Sequence, residues 1–453
     1  MIKKDIPIDL NADTTKIPFV HRSERKTKLP DNTTMTMTDP TITTTIASAI
    51  QKDKDEIALI NNQIHSNPEL AYLEFIAHST LVHSLRRLGF TVTSPAYGLP
   101  TSFEAEYGSG GRLIIFNAEY DALPEIGHAC GHNLIASASL AAFLGVAAAL
   151  KASNQPGRVR LLGTPAEEGG GGKLKLIEAG AYKGCDACLM VHPGPAAKLP
   201  SGITAVSYVR MLANVKYRVY FTGREAHASI SPWAGINALD AVCLSYNAIS
   251  MLRQQIKPEE RIHGVFREAG TRPNITPADC CVEYYVRSTT RKGAEELGKR
   301  VLKCFEGAAT ATGCEWRKED MSPYYDVRPS RKLCEAWMES MNSSSTQLAE
   351  TEGQGKVAWE DPKDFFQGST DMGNVCYECP GFHGVFGIET EDGAANHTKG
   401  FTKGAGTQEA FEKALECGRA MAEVGWRVLV DEEFAREVRS EWEEDMKDAE
   451  EGR

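Results

Sequence analysis

The sequence predicts an α/β fold, in which a mixed, parallel-rich sheet with helices on both faces forms the larger domain and a ferredoxin-like α+β lid domain is inserted into it. Two observations lead to this prediction. In the first half of the chain, buried strands followed by ligand-type side chains alternate with helical segments, which is typical of a parallel sheet. Near residue 208 the pattern changes to strands of alternating apolar and polar residues.

The N-terminal region consists of a polar segment and two helical segments. Residues 1–40 are rich in Thr, Lys and Asp and show little hydrophobic period, so we expect a disordered extension. Apolar residues recur at helical spacing over 42–64, and a second helix is predicted over 74–88 because its leucines share one face.

Three predicted strands each deliver candidate ligands. Residues 113–117 form a buried strand that ends shortly before Asp121. Residues 159–164 precede a Glu-Glu pair, and residues 187–191 precede His192. Side chains that follow the carboxyl ends of strands meet at one edge of an open α/β sheet, where such folds bind their ligands.

A dinuclear metal site explains the types of these residues. Two divalent ions need a shared ligand, imidazoles and carboxylates, and a free carboxylate that takes a proton from the attacking water. Each fragment alone is more often structural, but together and in this order they favour a metal site. The candidates are Asp121, His128, Cys130, His132, Glu167, Glu168, His192 and His397.

The lid is predicted from a β-α-β-β-α-like pattern. Alternating strands are expected at 213–221 and 281–287, with a strand near 263–266 and helices at 238–252 and 294–310. The catalytic domain is therefore predicted to be discontinuous and to consist of residues 41–207 and 320–435. The lid comprises residues 208–319, and an acidic C-terminal tail follows at 436–453.

Several motifs resemble those of the M20 family of metallopeptidases and amidohydrolases. They are Asn-Ala-Glu-Tyr-Asp-Ala-Leu-Pro from Asn117, His-Ala-Cys-Gly-His-Asn from His128, Pro-Ala-Glu-Glu-Gly-Gly from Pro165, and the segment around His397. The similarity runs from about residue 57 to about residue 430 and is strongest to subfamily D. Asn133 stands where many members have Asp, which favours the aminobenzoyl-glutamate hydrolase and M20 domain-containing protein 2 groups.

The resemblance implies a role for each motif residue. It implies the metal ligands Cys130, His132, Glu168, His192 and His397. Glu167 becomes the general base, and Asp121 orients a ligand, as carboxylates beside metal ligands commonly do. In the lid, His227 would reach an active site, often that of a partner subunit, while Asn274 and Arg287 would anchor substrate. An Arg fork suits a substrate carboxylate.

Composition excludes some classes of function. The net charge of −11 argues against a general nucleic-acid surface. The apolar run at 140–150 is too short to span a membrane, and the first residues lack the apolar region of a secretory signal. We therefore expect a cytoplasmic protein without nucleic-acid or membrane partners. The 12 cysteines then suit reduced thiols.

The predicted function is metal-dependent hydrolysis of an amide bond in a dipeptide or an N-acyl amino acid. The expected cofactors are two divalent ions, with zinc favoured by the thiolate ligand and manganese, cobalt or nickel as alternatives. A homodimer through the lid is expected from the resemblance. The alternatives are an N-deacetylase of a biosynthetic intermediate and a non-catalytic binding or scaffold subunit. The sequence does not predict which acyl group the substrate carries.

Overall fold

The computed structural model describes residues 40–343, 356–360 and 368–452. The predicted disordered extension lies outside the described residues, apart from Pro40. Within them, helices α1 and α2 form where the sequence shows one helical period over 42–64, and Asp53 separates the two.

The helices of the described residues are α1 (Pro40–Lys52), α2 (Lys54–Ser66), α3 (Phe75–Arg87), α4 (His132–Ser153), α5 (Gly172–Glu178), α6 (Ala238–Leu252), α7 (Arg291–Thr312), α8 (Arg331–Asn342), α9 (Met372–Cys376), α10 (Lys399–Ala405), α11 (Gln408–Val430) and α12 (Glu432–Glu451). The strands are β1 (Thr91–Thr93), β2 (Glu104–Ser109), β3 (Leu113–Ala118), β4 (Gly157–Gly163), β5 (Ala187–Pro195), β6 (Ile203–Tyr208), β7 (Ala213–Thr222), β8 (Arg261–Glu268), β9 (Asp279–Ser288), β10 (Glu315–Tyr324), β11 (Lys356–Glu360) and β12 (Gly381–Ile388).

The larger sheet has eight strands in the order β1-β2-β4-β3-β5-β12-β6-β11. Its centre is parallel, because β3 pairs in parallel with β4 and β5, and β5 pairs in parallel with β12. Antiparallel pairs join β1 to β2, β2 to β4 and β6 to β12. The prediction of a mixed, parallel-rich sheet is confirmed.

Strand β3 shows how helices cover both faces of this sheet. Ile114 and Phe116 belong to the apolar cluster formed with α4 and α11, whereas Leu113 and Ile115 belong to a second cluster on the opposite face. All four side chains are buried. A strand buried on both faces reads as a continuous apolar run, which is why the sequence predicts it well.

The smaller sheet is antiparallel, in the order β10-β7-β9-β8. One of its faces packs against α6 and α7 through apolar residues such as Val219, Val282 and Val301. Strand β10 ends at Tyr324 and so crosses the boundary at residue 319 that the sequence predicts for the lid. The division into domains stays a prediction.

Helix α4 is the one helix of the described residues that is long and apolar enough to cross a membrane, with a mean hydropathy of 1.9 over an 18-residue window. Inside the protein, 94% of that window is buried, so α4 serves here as the central core helix. The predicted absence of membrane partners and the cytoplasmic location stay predictions.

The acidic C-terminal segment is a helix with specific contacts. Phe434, Ala435 and Val438 of α12 are buried. Arg328 pairs with Asp445 at 2.6 Å, and Ser330 donates a hydrogen bond to Glu441 at 2.8 Å. The segment therefore packs against the rest of the chain as well as facing solvent.

Candidate metal centre and active site

The site lies at the carboxyl end of β3, where the chain runs directly into the start of α4. Glu119 and Asp121 follow β3 and are buried. Gly131 precedes the helix with a φ of 77°, and a Cβ built there would lie 2.5 Å from Pro193 Cγ. Only glycine fits this left-handed turn, which brings Cys130 and His132 to the same side.

His132 is fixed in orientation by Asp121. The Nδ1 atom of His132 lies 3.1 Å from Oδ1 of Asp121, and the other oxygen of Asp121 accepts a hydrogen bond of 2.9 Å from the backbone N–H of Glu168. An imidazole that donates from Nδ1 presents Nε2 as its ligand atom. Asp121 thus holds two of the candidate ligands, as the resemblance implies.

Candidate ligand atoms meet in three groups whose members lie within 4.8 Å of one another. Cys130 belongs to two of these groups, once with His132 and His192 and once with Glu168 and His397, and the third group joins His132 to Glu167 and Glu168. A thiolate shared between two groups is the arrangement expected of a ligand that bridges two ions. The fold therefore brings together all five predicted ligands.

The two outlying histidines are positioned by backbone contacts. His192 Nδ1 donates to Pro193 O at 2.8 Å and directs Nε2 to within 3.3 Å of Cys130 Sγ. Burial lowers the pKa of His192 to about 4, so its imidazole is neutral, as ligation requires. The backbone N–H of His397 donates to Ala129 O at 2.8 Å, and its Nε2 lies 3.4 Å from Glu168 Oε1.

Orphaned polar atoms show that the donor set fits cations. Among the described residues, His132 Nε2, Glu119 Oε2 and Glu168 Oε1 are buried without a hydrogen-bond partner. Such groups carry a large desolvation cost unless something pairs with them, and divalent ions would do so. Burial and the charge of Glu168 raise the pKa of the Cys130 thiol well above its usual range. A metal ion is what would displace that proton.

Glu167 joins the same cluster of side chains from a strained turn. Ala166 has a φ of 62°, and its N–H donates to Glu74 Oε1 at 2.9 Å. The backbone oxygen of Glu167 accepts a hydrogen bond of 2.5 Å from the hydroxyl of Tyr324. Glu167 Oε2 lies 4.0 Å from His132 Nε2. Burial and the charges of Glu119 and Glu168 raise the pKa of Glu167 well above its usual range.

The chain matches peptidase family M20/M25/M40 over residues 115–423. It is 38% identical over 411 residues to the Xaa-Arg dipeptidase of Mus musculus, covering 87% of this chain and 91% of that protein. The chain belongs to the M20 family. This M20 chain is also 33% identical over 321 residues to a p-aminobenzoyl-glutamate hydrolase subunit from Escherichia coli (strain K12), covering 66% of this chain and 65% of that protein.

Solved structures show the same fold. A dinuclear metal binding peptidase of the M20 family from Bacillus subtilis superposes with a TM-score of 0.59 at 22% identity, over 83% of this chain and 99% of that chain. An aminobenzoyl-glutamate utilization protein from Klebsiella pneumoniae gives a TM-score of 0.63 at 19% identity, over 85% and 99%. The predicted family and fold class are confirmed.

This M20 protein is accordingly a hydrolase that acts on peptide and related C–N bonds with divalent metal ions. The alternative of a non-catalytic scaffold finds no support, because the described site retains every predicted ligand and the predicted base. The individual roles of these residues stay predictions.

A buried ion network beneath the site was missed by sequence reasoning. Lys173 Nζ lies 2.5 Å from both Glu119 Oε1 and Asp371 Oδ1, and none of the three side chains is exposed. Glu119 Oε2 in turn lies 3.5 Å from His132 Nε2. The sequence offered only a weak signal, because Lys173 follows a Gly run, Asp371 lies in Gly-Ser-Thr-Asp, and nothing local pairs the two.

The three predicted lid residues are not gathered at the cluster. His227 and Asn274 are exposed on adjoining segments, where His227 forms a β-bridge with Ile275. Arg287 donates to Ser369 Oγ at 2.9 Å and to His263 Nε2 at 3.2 Å. Arg287 thus contacts Ser369, in the described segment before α9 that also carries Asp371.

Asn133 has a packing role in this chain. Its Nδ2 donates to Asn61 Oδ1 and to Ala405 O, both at 2.9 Å. The side chain therefore joins α4 to α2 and α10. Both contacts need an amide donor, which an Asp carboxylate at this position would not supply.

Proposed function

We propose that this protein hydrolyses dipeptides or N-acyl amino acids whose leaving amine carries a carboxylate, with Glu167 as the general base. The carrying observation is the position of Glu167 beside a cluster of five ligand-type side chains with unpaired buried atoms. The names of the relatives support the substrate class, since Xaa-Arg dipeptides and p-aminobenzoyl-glutamate share an amide bond to an amino acid.

The cofactor in this proposal is a pair of divalent ions, zinc being favoured. Cys130 would be shared, with His132, His192, Glu168 and His397 as the remaining ligands. Thiolate and imidazole ligands suit zinc, whereas manganese, cobalt and nickel remain the alternatives. When bound, the ions would lower the pKa of the attacking water and polarise the scissile carbonyl.

Glu167 then acts by moving one proton. It takes the proton from the attacking water and later returns it to the leaving nitrogen, so that the amide is cleaved to an acid and an amine. Burial and the charges of Glu119 and Glu168 raise its pKa, which makes its carboxylate a stronger acceptor for the first of these two transfers. Tyr324 and Glu74 hold the turn that aims Glu167, because they bond to the backbone on each side of it.

We propose that His227 stabilises the oxyanion that forms on the substrate bound in the active site of a partner subunit. It is exposed in its own chain, and Ser229 and Ile230 donate backbone N–H groups to its Nδ1 at 3.3 Å, which leaves Nε2 outward. Strand β8 is an edge strand of the smaller sheet among the described residues; its Val265 and Phe266 are exposed, as is Met251 of α6. An exposed apolar edge of this kind supports a homodimer through the lid.

The test is hydrolysis by metal-reconstituted protein of a panel of dipeptides and N-acyl amino acids, followed by release of free amine, with Glu167→Gln as control. Release by wild type alone is the expected result. Release that is equal in the Glu167→Gln protein would overturn the proposed mechanism.

The second candidate is an N-deacetylase of a biosynthetic intermediate, which would cleave acetyl amides in preference to dipeptides. It is supported by 28% identity to the N-acetyl-L-cysteine deacetylase of Bacillus subtilis (strain 168), which covers 56% of this chain and 64% of that protein. The same panel distinguishes the two, since a deacylase would release acetate from N-acetyl amino acids faster than it cleaves dipeptides.

A further inference from the structure

One face of the smaller sheet is polar where it meets the larger domain. In the antiparallel register, Asn214 lies opposite Arg287, and Lys216 lies opposite Tyr285. Residues two apart on one strand share a face, so Asn214, Lys216 and Arg287 all project from the face opposite the one that packs on α6 and α7. Lys216 and Arg287 are diagonal neighbours, a relationship that long side chains span.

Lys216 is a buried cation that has no ion pair with any of the described residues. Its exposure is 4%, and no hydrogen bond or ion pair to its Nζ occurs among the described residues. Its ammonium faces two aromatic rings instead, with Nζ 3.3 Å from the ring centre of Tyr324 and 5.4 Å from that of Tyr285. Rings orient a cation but leave its hydrogen-bonding capacity unused.

The charges that act on Lys216 include those of active-site residues. Burial lowers the pKa of Lys216 to about 8, the charges of Glu167 and Asp371 act to raise it, and Arg287 acts to lower it further. The ring of Tyr324 connects the two regions directly, since its hydroxyl donates to the backbone of Glu167. A buried charge is costly unless a counter-ion accompanies it, so this position is suited to an anion that arrives with the substrate.

Two neighbours have unused groups of their own. Arg287 uses Nε and Nη1 on His263 and Ser369, and no acceptor for its Nη2 occurs among the described residues. Asn214 is 1% exposed, and its Oδ1 is buried without a partner. The face therefore offers two cationic donors and one amide acceptor together, beside the proposed base.

We propose that Lys216 joins Arg287, the substrate anchor that the family resemblance implies, in binding the carboxylate on the leaving-amine half of the substrate, while Asn214 accepts an N–H from that half. The inference rests on the proposed function for the identity of the reaction. It assigns Lys216 and Asn214 a binding role and selects substrates with a free carboxylate next to the scissile amide. Tyr324 links this position to the proposed base, because its ring faces Lys216 and its hydroxyl donates to the backbone oxygen of Glu167.

The first test compares alanylarginine and alanylglutamate, each as the free acid and as the C-terminal amide. Lys216→Met should raise KM for the free acids at least tenfold while changing KM for the amides less than twofold. Lys216→Arg should restore most of the affinity, and Lys299→Met, an exposed lysine of α7, should change nothing. Equal changes for acids and amides would overturn the proposal.

The second test needs no hydrolysis and so separates this inference from the proposed function. Calorimetric titration with L-arginine and L-glutamate, and with their α-amides, measures binding of the amine product to the metal-loaded protein. Wild type should bind at least one free amino acid at least tenfold more tightly than Lys216→Met does, with melting curves showing that both are folded. Failure of wild type to prefer the acids over the amides would reject the carboxylate site, even if dipeptides are hydrolysed.

Discussion

Asp121 lies 3.1 Å from Nδ1 of His132 and so determines which imidazole nitrogen faces the candidate metal centre. Both side chains are buried, and the second oxygen of Asp121 receives the N–H of Glu168. One carboxylate therefore orders two candidate ligands that lie on different segments. The relative positions of His132 and Glu168 therefore depend on their hydrogen bonds to Asp121.

Replacing Asp121 with Asn is expected to weaken metal affinity about 10–100-fold, the usual effect of removing a carboxylate that orients a ligating His. The amide is of similar size, so folding should be retained. Competition with a chromophoric chelator measures the affinity, and Asp392→Asn, at an exposed position, serves as the control. An unchanged affinity would show that Asp121 does not set the His132 tautomer.

Glu167→Gln should retain metal and reduce kcat by about 10²–10⁴-fold, because it removes the proposed proton acceptor without removing a predicted ligand. Glu168→Gln is the matched comparison, since that residue belongs to two ligand groups and its loss should lower metal content. Elemental analysis and kcat are measured on the same samples. Metal loss in the Glu167 variant would reassign this residue as a ligand.

Cys130→Ser should lower the metal content from about two ions to one or fewer, since a hydroxyl is a much poorer ligand than a thiolate and Cys130 belongs to two groups. Cys243→Ser is the control because Cys243 is exposed and lies far along the chain in α6. Two ions per chain in the Cys130 variant would contradict the proposed bridging role.

Local sequence patterns predict most of the secondary structure and the candidate ligands. They do not predict contacts between residues that are far apart in the sequence. Strand β3 follows from its continuous apolar run and helix α3 from its helical apolar period, and the ligands follow from motifs that each lie within a few residues. Lys173 is different, because its partners Glu119 and Asp371 are 54 and 198 positions away. No periodicity records such a pairing, which exists only once β3, α5 and the start of α9 have packed together.

The buried network gives a prediction about stability. Burial lowers the pKa of Lys173, but Asp371 and Glu119 outweigh it and the pKa is raised, so the ion pairs persist in the folded protein. Lys173→Met leaves two buried carboxylates without their counter-ion and should lower the free energy of unfolding by about 3–5 kcal/mol.

Denaturant unfolding of metal-free protein measures this change. Lys183→Met, an exposed lysine of the following loop, should alter stability by less than about 0.5 kcal/mol. A loss below about 1 kcal/mol in the Lys173 variant would mean that the carboxylates take up protons and need no cation.

The titration of Lys216 gives the proposed carboxylate site a distinctive pH dependence. An ammonium group is charged below its pKa, which burial lowers here to about 8 despite the opposing charges of Glu167 and Asp371. Above pH 8 the free protein loses this charge, so KM for a free-acid dipeptide should rise relative to KM for its amide, by at most tenfold per pH unit. The Lys216→Arg protein should show no such rise over pH 7–9.5, because a guanidinium stays charged throughout. The ratio of the two KM values, measured over that pH range, tests whether Lys216 is the titrating group. Effects of pH on Glu167 or the metal ions act on both substrates and cancel in the ratio. A rise of equal size in wild type and in Lys216→Arg would place the titrating group elsewhere.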